Sequence, residues 1–255
     1  MNGPASAPSR GELGRPRLHL RLTDSTNDRA RELAARGAPH GTLVTAGEQT
    51  AGRGRQGRRW SAPAGSALLM SLLLRSPPPL LPLLAAVAVC DLAGEDAAIK
   101  WPNDVVLRRP DGALAKLAGI LVEGRPQEGW AVLGIGVNAA VELDQLPAEL
   151  RPGSATAGAP GAPLPAATLG LPRDALEPAL SALLEALAQR LAEPAETTLE
   201  TWQARDALRG REIAWSGGRG RAQGVDGEGR LVVALAGGGQ TALSAGEVHL
   251  RGPAG

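Results

Sequence analysis

Phenylalanine and tyrosine are absent from the chain, and tryptophan supplies every aromatic side chain, five in all. The core must therefore be built from Leu, Val, Ile and Ala. Stacking platforms for bases are scarce, which counts against a single-strand nucleic-acid binder. Cysteine is nearly missing as well. Cys90 stands alone, which excludes an internal disulfide framework and any cysteine metal cluster, and its setting in AAVAVC marks it as core packing. His19, His40 and His249 lie far apart without HExxH or Cys/His spacing and read as surface or loop residues. No GxxxxGK[ST] occurs, so the P-loop route to ATP is closed. Ser66 and Ser71 lack a GxSxG context, so a hydrolase is not supported.

Long apolar runs and a charge of one sign are also lacking. The stretch from Leu80 to Cys90 is interrupted by Pro82 and falls short of the ~20 residues that span a bilayer. The first 17 residues, MNGPASAPSRGELGRPR, have no apolar signal-peptide core and are expected to be a disordered tail. A formal net charge of +1 gives the whole molecule no electrostatic reason to seek nucleic acid or an anionic membrane. These absences lead us to expect a soluble, cytoplasmic protein.

At 255 residues the chain has room for one large domain and a small companion. Leu18 to Leu22, LHLRL, alternates with a period of two and reads as a half-buried strand. The period then changes: Ser25 with Asp28 forms a capping-box pattern, Ala30, Leu33 and Ala34 mark one helical face, and Gly37 is a stop. TLVTA from Thr42 and the apolar run Ala67 to Leu74 are strands joined by a long glycine- and arginine-rich loop. Pro77 to Gly94 is a helix with prolines in its opening turn. From Ala97 come short strands, AAIK, VVL, KLAGILVE and WAVLGIGVN, with hairpins at Pro110 to Gly112 and Pro126 to Gly129, which predicts an antiparallel or mixed sheet. Pro152 to Leu171 is rich in Ala, Gly and Pro and reads as a mobile loop. An amphipathic helix over Arg173 to Leu191 and a shorter one around Thr198 to Asp206 follow. From Gly210 to Arg251 short strands alternate with glycine turns, the pattern of a small closed barrel forming a separate module.

Four segments could carry chemistry. In AGRGRQGRRW, Arg53, Arg55, Arg58 and Arg59 sit without an acid on a loop whose glycines expose backbone N–H groups, which suits a polyanion as well as it suits a solvated loop. Lys100-Trp101-Pro102-Asn103-Asp104 places a cation, a rigid corner and two polar heads at a sheet edge, or else is a turn satisfied by its own polar groups. Lys116 opens a strand, where lysines are most often exposed. Gly134-Ile135-Gly136-Val137-Asn138 lacks the third glycine of a dinucleotide fingerprint.

Taken in order, Ser25 to Asn27 (STN), Glu48 to Trp60 (EQTAGRGRQGRRW), Lys100 to Leu107 (KWPNDVVL), Lys116 to Glu123 (KLAGILVE) and Gly134 to Asn138 (GIGVN) closely resemble the biotin–protein ligase family. The C-terminal pattern resembles that family's SH3-like domain. The resemblance implies an α+β fold: a class II aminoacyl-tRNA-synthetase-like catalytic domain over 18–207, a mixed sheet backed by helices, followed by an SH3-like barrel over 208–255. It also implies an ATP- and magnesium-dependent ligase that forms biotinyl-5'-AMP and passes the biotinyl group to a lysine of the biotin carboxyl carrier domain of acetyl-CoA carboxylase or a related carboxylase. A homodimer is compatible with it. Members carrying an N-terminal helix-turn-helix also act as repressors. Only 17 polar residues precede the first strand here, so the ligase without the repressor is expected.

By the same resemblance Arg53, Arg55, Lys100 and Lys116 are the catalytic cations. Ser25, Thr26, Asn27, Gln49, Arg53, Gly54, Arg55, Lys116 and Gly119 contact biotin, and Arg55, Trp60, Asn103, Asp104, Lys116 and Asn138 lie on the ATP side. No metal ligand is assigned. The glycine–arginine loop is expected to be flexible and to fold over the adenylate. A lipoate or octanoate ligase, a biotin sensor without turnover and a nucleic-acid binder built on the RGR loop are the rival readings.

Overall fold

The computed structural model describes residues 13–125, 128–152, 163–244, 246 and 248–250. The chain runs β1 (Arg17–Leu20), α1 (Thr26–Ala35), β2 (Leu43–Ala46), β3 (Ala67–Arg75), α2 (Leu81–Ala93), β4 (Ala97–Lys100), β5 (Asp104–Arg108), β6 (Leu114–Arg125) and β7 (Trp130–Asn138). It continues with α3 (Leu176–Leu191), α4 (Ala195–Ala204), β8 (Glu212–Trp215), β9 (Gly218–Val225), β10 (Leu231–Leu235), β11 (Gln240–Leu243) and β12 (His249–Leu250).

A strand that is apolar on both faces must be covered on both faces, and ALLMSLLLR becomes β3, buried along nearly all its length. It lies inside a seven-stranded sheet of order β1-β2-β3-β7-β6-β5-β4. Only β1 and β2 pair in parallel; the other ladders are antiparallel. One face is covered by α2, whose LPLLAAVAVC is apolar all round because the sheet lies on one side of it and α3 and α4 lie on the other. Leu180, Leu183 and Leu187 of α3 complete that layer, each burial contributing roughly 1.5–3 kcal/mol. On the opposite face α1 lays Ala30 and Ala34 over Val44, Leu73, Trp130 and Val132. Gly37, at φ 83°, ends α1 by donating its N–H to Ala34 O.

Cys90 is fully buried in α2, and desolvation pushes its thiol up to about 12. Its thiolate fraction at pH 8 should therefore be roughly a thousandfold or more below that of a free cysteine. Iodoacetamide at pH 8 is expected to leave the folded chain unmodified over an hour and to alkylate it fully in guanidinium. Rapid alkylation of the native protein would contradict this burial.

After α4 the chain returns to the sheet. Residues 205–207 run beside β4, with Ile99 N–H donating to Arg205 O and Ala207 N–H to Ile99 O, so the exposed edge is covered before the chain leaves for the second sheet. That sheet is five-stranded and antiparallel, in the order β11-β10-β9-β8-β12. Trp101 Nε1 donates to Gly229 O across the two parts at 3.0 Å. Ile213, Val225, Leu231 and Val233 belong to the same apolar cluster as Leu72 and Leu133, so one core runs through both.

Several expectations are corrected. The tail ends earlier than residue 17: Leu13 is buried and Gly14 N–H donates to Gly41 O, while residues 1–12 lie outside the described residues. The capping box does not form: Ser25 makes no side-chain cap, and Asp28 turns to Arg31 and Arg53. The first strand ends at Leu20 and the proline-led helix begins only at Leu81, since Pro77 to Pro79 precede it. The short helix is shifted to Ala195–Ala204. The second sheet supplies the strands expected of the C-terminal module, and among the described residues its ladders run from β11 to β12 without pairing these two ends. The hairpin turn expected at Pro126 falls partly outside the described residues, as do residues 153–162 of the expected mobile loop. Residues 163–171 of that loop are built into the site, as follows.

Candidate functional site

Period-two alternation decides which residues face away from α2. On that face β3 presents Leu69, Ser71 and Leu73, opposite Gly136, Gly134 and Val132 of β7, which in turn oppose Gly119, Leu121 and Glu123 of β6. Asp104 of β5 pairs with Gly119 and extends the row. Where the row carries Leu73 and Val132, α1 covers it. Where it carries glycines, only the first turn of α1 reaches it, at Gly134, and the sheet floors a cavity of about 870 Å³.

The polar end of the cavity is the start of α1. Thr26 donates both its N–H (2.7 Å) and its hydroxyl (3.1 Å) to Gln49 Oε1. Ser71 Oγ lies 2.8 Å from Thr26 Oγ1 and 2.6 Å from Asn27 Oδ1. Asn27 Nδ2 donates to Glu123 Oε2 at 2.9 Å, so both ends of this amide are engaged. Gly134 makes the arrangement possible, because a β-carbon there would collide with Asn27 Oδ1 and lie 2.8 Å from its Cγ. Ser25, Thr26, Asn27 and Ser71 are all buried.

The other end is cationic. The glycine–arginine loop is folded as a small hairpin: Gly54 N–H donates to Arg58 O at 2.7 Å and Trp60 N–H to Gly52 O at 2.9 Å. Gly52 is required for this closure, since a β-carbon there would meet Trp60 O. Trp60 lies over the glycine floor: a β-carbon on Gly136 would come 2.6 Å from its Cε2, and one on Gly119 3.1 Å from its Cζ3. Lys116 Nζ sits 5.6 Å from the Trp60 ring centre and 2.7 Å from Asp104 Oδ1. Arg55, Arg58, Arg59 and Lys100 line the same cavity. Arg53 also lines it, with its fork bound to Asp28 Oδ1 at 3.0 Å and Glu123 Oε1 at 2.8 Å.

A strap from the segment expected to be a mobile loop closes one wall. Lys116 N–H donates to Pro165 O at 2.6 Å and Ala167 N–H to Lys116 O at 2.7 Å, so 165–167 add a short parallel bridge outside β6. Asn138 Nδ2 donates to Ala167 O at 3.0 Å and holds the strap to β7. The composition reads as that of a mobile loop, yet Ala166 and Ala167 are buried because the site's own strand supplies partners for their backbone.

Every site residue that the resemblance assigned lines this one cavity: Ser25, Thr26, Asn27, Gln49, Arg53, Gly54, Arg55, Trp60, Lys100, Asn103, Asp104, Lys116, Gly119 and Asn138. They are not all equally exposed to it in chemistry. Asn103 spends its amide on Ile120 O at 2.8 Å, the turn-holding alternative considered for that motif. Ser71, Glu123, Gly134 and Gly136 were not assigned roles. Ser71 was legible as the lone hydroxyl in an apolar strand, and the two glycines share a parity with Asn138; Glu123 carried no local signal. Among the described residues no three His, Cys, Asp or Glu side chains are grouped as a metal site would need.

A half-covered sheet whose bare half carries a glycine floor, a neutral polar pocket and a ring of cations defines a class: an α+β domain with a preformed trough for a small molecule that is polar at one end and anionic at the other. The sequence matches the Biotin/lipoate A/B protein ligase family over residues 19–139 and the Biotin protein ligase C terminal domain over 209–251. It is 35% identical over 243 residues to the Biotin--[acetyl-CoA-carboxylase] ligase of Paracoccus denitrificans, covering 84% of this chain and 92% of that protein. The Bifunctional ligase/repressor BirA of Bacillus spizizenii is 40% identical over 151 residues, 54% of this chain; the match spans only 45% of that relative's length. The fold is that of a biotin protein ligase from Aquifex aeolicus, solved with biotin and ATP, at a TM-score of 0.70 and 23% identity over 93% of this chain and 99% of that one. The chain belongs to the biotin–protein ligase family.

Proposed function

We propose that this chain is a biotin–protein ligase: it activates the biotin carboxylate with ATP and transfers the biotinyl group to a lysine of a biotin carboxyl carrier domain. The observation that carries this reading is the trough itself, with its neutral hydrogen-bonding pocket at the start of α1 and cations at its other end on one continuous floor. A ureido group suits the first and a carboxylate meeting a phosphate suits the second.

In the first step a biotin carboxylate oxygen attacks the α-phosphorus of ATP and pyrophosphate leaves. Two unit anions at 4 Å repel by about 4 kcal/mol at an effective dielectric near 20, so fixed cations are needed. Lys116, Lys100 and Arg55 supply them, with Arg53 beside them at the loop's root, its charge met by Asp28 and Glu123, and a guanidinium fork can hold a carboxylate and a phosphate in one plane. Ser25, Thr26, Asn27 and Gln49 take the ureido end, and Gly54 and Gly119 belong to the same biotin site, where Gly119 makes room for the Trp60 ring. Trp60, Asn103, Asp104 and Asn138 face the nucleotide. In the second step the acceptor lysine attacks the acyl carbon of biotinyl-adenylate and AMP leaves. Among the described residues no three His, Cys, Asp or Glu side chains are grouped as a metal cage would need, and magnesium is read as part of the nucleotide substrate. The division into a catalytic part over 18–207 and an SH3-like part over 208–255, a cytoplasmic site of action and a possible homodimer belong to the same reading. No described helix is long and apolar enough to cross a membrane.

The test is direct. Purified chain, biotin, ATP, magnesium and a carrier domain should give one biotinyl addition on one carrier lysine, seen by intact-protein mass spectrometry. Parallel reactions with lipoate and octanoate should give none. Modification by lipoate in place of biotin, or biotin binding without pyrophosphate exchange, would overturn the proposal.

A further inference from the structure

We propose that Glu123 is a positioning residue that couples the polar pocket to the glycine–arginine loop, an inference that rests on the biotin-ligase reading for its ligand half. Its carboxylate accepts from Asn27 Nδ2 at 2.9 Å through Oε2 and from Arg53 Nη2 at 2.8 Å through Oε1. One oxygen therefore serves the pocket and the other the base of the loop. The side chain is 20% exposed and stands on β6, between the end of the glycine floor and the sheet beneath α1.

The partners make the connection specific. Asn27 offers one amide donor and one acceptor end; Glu123 can only accept, so it fixes Nδ2 toward itself and leaves Oδ1 facing Ser71. Arg53 is held by Asp28 and Glu123 together, and Asp28 also binds Arg31, giving two carboxylates and two guanidinium groups with no net charge. Arg53 directly follows Gly52, where the loop hairpin closes on Trp60. Displacing Glu123 thus releases the loop at its root and leaves the pocket's amide without its orienting acceptor. Asp28 reaches only the loop half of this network.

Glu123→Gln and Asp28→Asn separate the two halves. Limited trypsin cleavage within 53–59 is expected to rise about tenfold in either variant, as loss of a charge-assisted bond at the loop's root implies. The biotin Kd should rise about tenfold in Glu123→Gln and less than about twofold in Asp28→Asn. In the parent, saturating biotin should slow cleavage; in Glu123→Gln this protection should be lost, an effect that mere destabilisation, tracked by thermal unfolding, does not produce. Should Glu123→Gln fail to fold, Asp28→Asn still reads the tether: unchanged cleavage there overturns the inference. Unchanged cleavage in Glu123→Gln with normal biotin protection overturns the coupling alone. A parent that binds no biotin overturns the functional reading and the ligand half together, a result distinct from either.

Discussion

Replacing Lys116 by methionine is expected to slow formation of biotinyl-adenylate by about 10²–10³-fold, the usual consequence of deleting one preorganised group at a centre of developing charge. The cause is geometric. Lys116 is held at its backbone by the 165–167 strap on both its N–H and its C=O, and its ammonium rests between Asp104 and the Trp60 ring. It therefore needs little reorganisation to meet a carboxylate and a phosphate. Methionine keeps the stem and its contact with Trp60 but removes the charge, and it leaves Asp104 facing the trough unbalanced. Adding Asp104→Asn should restore part of the ATP affinity while the rate stays low. Stability should change little, since a partly exposed ion pair contributes about 0–1 kcal/mol. Single-turnover pyrophosphate release measures the effect; a Lys116→Met rate within about threefold of the parent would remove Lys116 from the chemistry.

Gly134→Ala is expected to weaken biotin binding by about a hundredfold or more, because a site whose buried polar groups lose their arrangement rejects its ligand strongly. The added methyl group has no space: it would overlap Asn27 Oδ1 and lie 2.8 Å from Cγ and 3.0 Å from Nδ2. Asn27 has nowhere to yield, with Ser71 at one end of its amide and Glu123 at the other. The backbone is not strained by the change, since Gly134 lies in an ordinary extended strand. The methyl group's steric effect on the pocket thus stands apart from any change in fold, and calorimetric titration with a circular-dichroism control distinguishes them. Gly227, in the turn between β9 and β10 with nothing near a β-carbon, is the comparison position for a glycine replaced away from the pocket.

Much of this fold was legible before any coordinates. The strands AAIK, VVL, KLAGILVE and WAVLGIGVN became β4 to β7 because each carries β-branched or apolar residues bounded by turn formers, a signal that acts over a few residues. The cations of the GRGR and KWPND segments were named from the resemblance of those strings to the biotin–protein ligase family. What escaped was long-range. Residues 163–171 have the composition of a loop, and they are ordered by backbone partners that β6 and β7 offer from some thirty to fifty positions away along the chain. Ser25 has the residue type of a cap, and Asp28 that of its partner, yet Asp28 is taken by Arg53, a competitor invisible from a four-residue window.

By itself the sequence determined the kinds of element, the turns between most of them and the inventory of groups able to handle anions, since those depend on residue type and local period. Only the tertiary structure decided that Gly119, Gly134 and Gly136 form one floor, that Trp60 lies across it, and that Glu123 touches Asn27 and Arg53 at once. The physical reason is register: which residues meet across a sheet depends on how strands distant in sequence align, and that alignment is fixed by burying the apolar face of the whole sheet at once.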